Sequence, residues 1–304
     1  MKPKKSLGQN FLRDGKVLER IIQAADLSRK DNVIEIGPGE GVLTRELAKR
    51  ANKLICVEKD ERLAEDIARK FQIQNSKITN GACVISEDIL KVNLPELIEE
   101  NDFKNYKVVA NIPYYITSPI IQLFLETKYP PTEMILMVQK EVAERICARP
   151  SKIVSDSSDV KNAGGNASLD KNRKNRSILR GKPGQMSILA VSVQYYAKPE
   201  ILFYVDKKSF WPIPEVDSAV IKISKIKNQK SKLETQNFFR IVRAGFSAKR
   251  KMLANNLSTS FHLEKYEAEE KIKKAGLRPT QRAQELSVED WKKLKAVLEE
   301  NDPS

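Results

Sequence analysis

Histidine occurs once in this chain, at position 262. A Ser-His-Asp acyl-transfer triad and an imidazole-built metal centre are therefore not expected, and no metal is. There are three cysteines, Cys56, Cys83 and Cys147, odd in number and far apart. They form no metal-ligand spacing and no disulfide framework, which fits a reducing compartment. No apolar run approaches the roughly 18 residues needed to span a bilayer. The basic start Met1-Lys2-Pro3-Lys4-Lys5 is not followed by the apolar core of a secretory signal. The expectation is a cytosolic protein with no membrane segment.

Positive charge, by contrast, is abundant. The 54 Lys and Arg outnumber the 40 Asp and Glu, for a net charge of +14 and a pI of about 9.5. A polyanionic partner is the natural reading, and a merely solvated surface is the plain alternative. The excess is uneven: +1 over residues 1–148, +6 over 149–186, +2 over 187–229 and +5 over 230–304. At 304 residues, 40% hydrophobic and 31% charged, the chain suits a globular protein with a large core and a second, smaller domain.

One stretch organises the rest. Val108-Val109-Ala110-Asn111 is a short β-branched run, and Ile112-Pro113-Tyr114-Tyr115 stops it. Such runs read as buried parallel strands, and Pro113 cannot donate to a ladder. The strand's carboxyl end then carries an amide, a backbone carbonyl and an aromatic ring side by side. That is the sheet edge where α/β folds bind ligands. The Asn111 side-chain oxygen and the Ile112 carbonyl can accept from one exocyclic amine, and Tyr114 can stack on a flat base. The set suits the N6 group of adenine. A strand-to-loop turn with a buried tyrosine is the plainer alternative.

Upstream, Asn32-Val33-Ile34-Glu35-Ile36 runs into Gly37-Pro38-Gly39-Glu40-Gly41, and a helix begins near Val42. Glycine permits close ligand approach, and a helix N-terminus offers free N–H groups. The spacing is G-x-G-x-G, which misses the dinucleotide fingerprint, so no pyrophosphate clamp is indicated. The next strand, Lys53–Val57, ends at Glu58, where a carboxylate can accept from both hydroxyls of a ribose. A third, Ala82–Ile85, ends near Asp88, which can accept from an adenine amine. Singly, such acids are often helix caps. In one register on successive strands they are better explained by a nucleoside site in a doubly wound sheet.

A helix is expected over Asp14–Ala25 with Asp14 as its cap, another from Asp60 to Phe71, one starting at Thr117-Ser118-Pro119, and one over Gln139–Ala148. Met134–Val138, Ser187–Tyr195 and Ser218–Ile223 read as strands. Residues 149–186 are rich in Ser, Asn, Lys and Gly and are expected to be a mobile basic insertion. Its run Lys171–Arg176 could touch phosphate. In Phe210-Trp211-Pro212-Ile213-Pro214, Phe210 is a candidate second stacking ring, or a core anchor. After Lys230 the period becomes helical, with a basic helix expected from Ala248 to Leu257 carrying Lys249, Arg250 and Lys251.

These residues resemble the ribosomal RNA small-subunit adenine dimethyltransferases of the KsgA type over almost the whole chain. The resemblance rests on SLGQNFL at 6–12, VIEIGPGEGVLT at 33–44, VEKD at 57–60, EDIL at 87–90, ANIPYYITSP at 110–119, VQKEVAERI at 138–146, FWPIPEVDSAV at 210–220, FSAKRKMLANNL at 246–257 and RAQELS at 282–287. It implies a class I methyltransferase fold: α/β, with a mostly parallel seven-stranded Rossmann-like sheet and a small all-helical C-terminal domain. The division expected is 1–229 and 230–304. It implies S-adenosylmethionine as methyl donor, with Asn10, Leu12, Gly37, Gly39, Glu58, Asp88 and Asn111 at the cofactor. Asn111, Ile112, Pro113, Tyr114 and Phe210 would serve the target base, and Lys249, Arg250 and Lys251 the RNA. The reaction implied is dimethylation of N6 on two adjacent adenosines near the 3′ end of 16S rRNA, in a monomer acting on the small ribosomal subunit and its 3′-end hairpin.

Two departures stand out. The insertion 149–186 replaces the family's short link, and Glu215 stands where the family commonly has lysine. The nearest alternative is a large-subunit (23S) adenine methyltransferase of the antibiotic-resistance type; Asp217 and the Lys249–Leu257 segment favour the small-subunit reading. A non-catalytic RNA-binding assembly factor would predict decay at Gly37, Glu58 or Asn111, and none is decayed. A nicotinamide dehydrogenase is argued against by the missing third glycine.

Overall fold

The structure is a computed structural model that describes residues 2–75, 81–151, 183–227 and 231–299. Strand β1 (Phe11–Leu12) precedes helix α1 (Gly15–Ala25). Then come β2 (Asn32–Ile36), α2 (Val42–Ala48), β3 (Lys53–Glu58), α3 (Glu61–Phe71), β4 (Gln74–Asn75) and β5 (Ala82–Ser86). Next are α4 (Leu94–Glu100), β6 (Tyr106–Asn111), α5 (Thr117–Glu126), β7 (Glu133–Gln139) and α6 (Lys140–Ile146). After residues 152–182 follow α7 (Ile188–Tyr196), β8 (Lys198–Val205), β9 (Phe210–Trp211) and β10 (Ser218–Ser224). Helices α8 (Lys232–Gly245), α9 (Leu253–Phe261), α10 (Lys265–Lys274) and α11 (Val288–Glu299) complete the described residues.

The main sheet runs β4-β5-β3-β2-β6-β7-β10-β8. Its pairs are parallel except those of β10, which lies antiparallel to both β7 and β8. Strands β2 and β3 are buried almost throughout, as expected of central strands covered on both faces. The order reverses at β2, so the carboxyl ends of β2, β3, β5 and β6 open onto one crevice.

Seven of the strands are the seven expected in number, and β4 adds a two-residue edge. One of the seven lies elsewhere. Residues 187–195 do not form a strand: Ile188–Tyr196 is helix α7, capped by the Ser187 side chain on the N–H of Ala190. The strand is β8, farther on. The physical reason is that the buried positions are spread round the helix, while Ile188 in its first turn is exposed. Ala190, Val191, Val193, Tyr195 and Tyr196 are all buried, and Tyr195 stacks on Phe238 of α8 with ring centroids 4.3 Å apart. A helix whose buried positions are spread round its axis shows no clear amphipathic period. Through α7, the core of the four C-terminal helices is continuous with one face of the sheet.

The expected basic helix also starts later. Lys249, Arg250 and Lys251 are exposed in a turn, and α9 begins at Leu253. The turn is held by Asn256, whose Nδ2 donates to the carbonyls of Gly245 (2.6 Å) and Ala248 (3.1 Å). The run Lys171–Arg176 lies outside the described residues. The base of that segment is fixed on both sides: Arg149 bridges Pro183, and Met186 N–H donates to the Gln284 carbonyl.

Candidate active site

The site begins with the glycine turn. Gly37, Gly39 and Gly41 all have positive φ, which L side chains adopt reluctantly. A Cβ on Gly39 would stand 3.0 Å from the Phe11 ring. Strand β1 therefore lies directly over the turn. It is pinned there by pairing with β9, Phe11 opposite Trp211 and Leu12 opposite Phe210. The polar N-terminal segment, which could have been a loose arm, is instead one wall of the crevice.

Asn10, Leu12, Gly37, Gly39, Glu58 and Asp88 line one half of this cleft. Asn111, Ile112, Pro113 and Tyr114 line the adjoining half. Glu58 ends β3. Its Oε2 accepts from the N–H of Gly39 (3.1 Å) and its Oε1 from that of Asp60 (2.8 Å). Burial pushes its pKa up, against the pull of those two N–H groups. Both oxygens keep a further lone pair for a diol. Asp88 pairs with Lys59 at 2.8 Å and accepts from the Leu90 N–H, and the Lys59 hydrogen bond leads in lowering its pKa. It stays ionised and can accept from an amine.

Asn111, at the end of β6, has its amide orientation set: Nδ2 donates to the Asn10 carbonyl at 3.2 Å. Its Oδ1 is left as an acceptor, and the carbonyl of the next residue, Ile112, is a second one in the same loop. Tyr114 is half-buried, with its hydroxyl 2.7 Å from Ser218 Oγ. That contact ties the acceptor loop to β10. The arrangement offers a diol acceptor, an ionised carboxylate and, a few residues away, two neutral acceptors for one amine. A nucleoside cofactor and a planar aromatic amine both fit this donor and acceptor set.

Phe210 does not line the cleft. It is 3% exposed and packs in the core beneath β1, whereas its neighbour Trp211 is 47% exposed. Pairing with β1 decides which of the two rings turns inward, and the burial of Phe210 fits the core-anchor alternative. Lys249, Arg250 and Lys251 also lie outside the cleft. Sequence reasoning missed Glu35, a buried carboxyl at the cleft floor whose pKa burial raises to about 8. It also missed Asp60, and the Arg13–Glu40 ion pair (2.7 Å), in which Arg13 also faces the Trp211 ring. A charged residue inside an otherwise apolar strand was the available signal for Glu35; the others join distant parts of the chain.

The profile of the ribosomal RNA adenine dimethylase family matches residues 1–159 and 175–300. The chain belongs to that family. Only 160–174 of the basic insertion fall outside the match up to residue 300. A curated relative from Dehalococcoides mccartyi, "Ribosomal RNA small subunit methyltransferase A", is 39% identical over 97% of this chain and 88% of its own length. A protein of the same name from Clostridium botulinum is 38% identical over 95% of this chain and 92% of its own. Among solved structures, a dimethyladenosine transferase from Plasmodium falciparum superposes with a TM-score of 0.67 at 25% identity, covering 93% of this chain and 95% of that one. The 23S rRNA methyltransferase ErmE gives 0.65 at 25%, covering 95% and 100%. The fold is that of the class I methyltransferases.

Proposed function

We propose that this dimethylase-family chain transfers methyl groups from S-adenosylmethionine to N6 of two adjacent adenosines near the 3′ end of small-subunit rRNA. The observation that carries this reading is the fixed Asn111 amide, which with the next residue, Ile112, lines the same cleft as Glu58 and Asp88. S-adenosylmethionine, when bound, supplies a methyl group on an electrophilic sulfonium. Glu58 would hold its ribose and Asp88 its adenine amine.

An adenine amine is a poor nucleophile because its lone pair is delocalised into the ring. The Asn111 oxygen and the Ile112 carbonyl draw its two hydrogens out of the ring plane and turn the pair toward the cofactor. Positioning of this kind supplies much of the acceleration. The nitrogen becomes acidic only after alkylation, so a strong general base is not needed. After the first transfer one hydrogen remains and one acceptor still engages it, so the same pocket serves the second transfer. The base must leave its stack to enter, and Tyr114 receives it. Lys249, Arg250 and Lys251 would meet phosphate on the helical side, in the division 1–229 and 230–304. The substrate is the small subunit and its 3′-end hairpin, and the protein acts as a cytosolic monomer.

The test is transfer from labelled S-adenosylmethionine to unmethylated small ribosomal subunits, with modified bases mapped. Two dimethyladenosines near the 3′ end are expected. Asn111→Ala should abolish transfer while subunit binding persists. Modification confined to large-subunit RNA would overturn the substrate assignment. Tight subunit binding with no transfer would point to an assembly factor.

A further inference from the structure

Asp60 sits at the N-cap of α3, where an aspartate ordinarily accepts from its own helix's N–H groups. Here it makes no such bond. The carboxylate is turned the other way and is fully buried. Oδ1 accepts from Lys4 Nζ (3.0 Å) and Arg62 Nε (3.0 Å). Oδ2 accepts from Gln9 Nε2 (3.0 Å) and Arg62 Nη2 (2.7 Å). Gln9 is itself clamped, since its Oε1 accepts from the Lys4 backbone N–H at 2.7 Å. So residues 4–9 close as a small loop on one buried charge. The next residue is Asn10, whose carbonyl takes the Asn111 Nδ2–H.

These contacts form one line, from the α3 cap to the amide beside the acceptor. A side-chain amide presents either oxygen or nitrogen to a partner by a half-turn. A nitrogen facing an adenine amine would set donor against donor. Nothing in β6 itself chooses the orientation; the Asn10 carbonyl does. We propose that Asp60 is a positioning residue for the methyl transfer: by holding Lys4 and Gln9 it fixes the Asn10 carbonyl, which keeps the Asn111 amide oxygen turned toward the acceptor amine. The inference rests on Asn111 receiving the target amine. Arg62 keeps the carboxylate ionised, so the hold on the N-terminal segment persists across neutral pH.

The experiment uses the full chain, unmethylated small subunits and single-turnover transfer at saturating S-adenosylmethionine and saturating subunits. The variants are Asp60→Asn and the double variant Lys4→Ala/Gln9→Ala, which leaves the buried carboxylate paired with Arg62. Asn111→Ala reports on the underlying reading. The expected result is a loss of the saturated rate on the order of tenfold or more in both test variants, with the KM for subunits unchanged. The Asn111 side-chain amide signal should also change in 15N-asparagine-labelled protein, its assignment being the signal that Asn111→Ala removes. A purely structural role for Asp60 would lower unfolding midpoints without moving that signal in the folded double variant. Wild-type saturated rates in the double variant, or an unmoved amide signal, overturn the inference. If the variants weaken only cofactor affinity and the saturated rate holds, the loop serves the cofactor and the inference is also overturned. Should Asn111→Ala retain transfer, the failure belongs to the reading of Asn111.

Discussion

Replacing Glu35 by Gln should stabilise the ligand-free protein near neutral pH and leave it little changed in mild acid. Glu35 lies on β2 opposite Cys56 of β3, is 1% exposed, and accepts from Cys56 Sγ at 3.5 Å. Among the described residues no cation pairs with it. Burial raises its pKa from 4.5 to about 8. The sign follows: an acid whose pKa is raised by folding takes up a proton on folding at any pH between the two values. Its contribution to stability is most favourable below pH 4.5 and worsens as pH rises toward 8. At about 1.4 kcal/mol per pH unit, holding the carboxyl neutral costs roughly 3 kcal/mol at pH 7 and under about 1 kcal/mol at pH 5. Glutamine is neutral throughout, and the Thr44 hydroxyl, which already faces the Glu35 carboxyl and pulls its pKa down, can pair with the amide instead. The assay is urea unfolding of wild type and Glu35→Gln at pH 5, 6, 7 and 8. The difference between the two should widen by about 2 kcal/mol from pH 5 to pH 7. Parallel stability curves would refute the reasoning, because a fixed offset reports packing and not a proton.

Three further outcomes follow from the same geometry. Gly39→Ala places a Cβ 3.0 Å from the Phe11 ring at a φ of +59°, so cofactor affinity measured by calorimetry should fall by about tenfold or more; unchanged affinity would mean that β1 yields freely. Asn256→Ala removes both side-chain bonds to the Gly245 and Ala248 carbonyls and should cost about 2 kcal/mol in urea unfolding, with a loss below about 0.5 kcal/mol speaking against the turn's dependence on it. Lys249→Ala and Lys251→Ala should each reduce the salt slope of RNA binding by about 1, and a slope equal to wild type would move the phosphate contacts elsewhere.

The proposed binding residues are more legible in the sequence than the residues that place them. Asn111, Glu58 and Asp88 sit at the carboxyl ends of β-branched runs, and a parallel sheet brings such ends together whatever the intervening helices do. The apolar pattern therefore carried both the strands and their cleft. It failed where burial removed the pattern, as in α7, whose buried residues are spread round the helix. It missed α4, a short helix started by the Asn93 cap and Pro95. It could not choose between Phe210 and Trp211, because two-residue strands have no period to read, and the choice comes from pairing with β1. The Asp60 cluster was invisible for another reason. Gln9 and Lys4 are 51 and 56 residues away from it, and a polar N-terminal segment gives no sign of what will bury its one partner.

That N-terminal segment changes how the two halves of the cleft relate. Phe11 covers the glycine turn on the proposed cofactor side, and Asn10 orients Asn111 on the proposed acceptor side. The short segment Asn10–Leu12 thus touches both. Its hold is polar at one end, through Asp60, and apolar at the other, through Phe210 beneath Leu12. Arg13 adds an ion pair to Glu40 in the glycine turn while facing Trp211. Because the segment lines the cleft and its Asn10 carbonyl sets the Asn111 amide, a substitution that loosens it is expected to act on both halves of the cleft together.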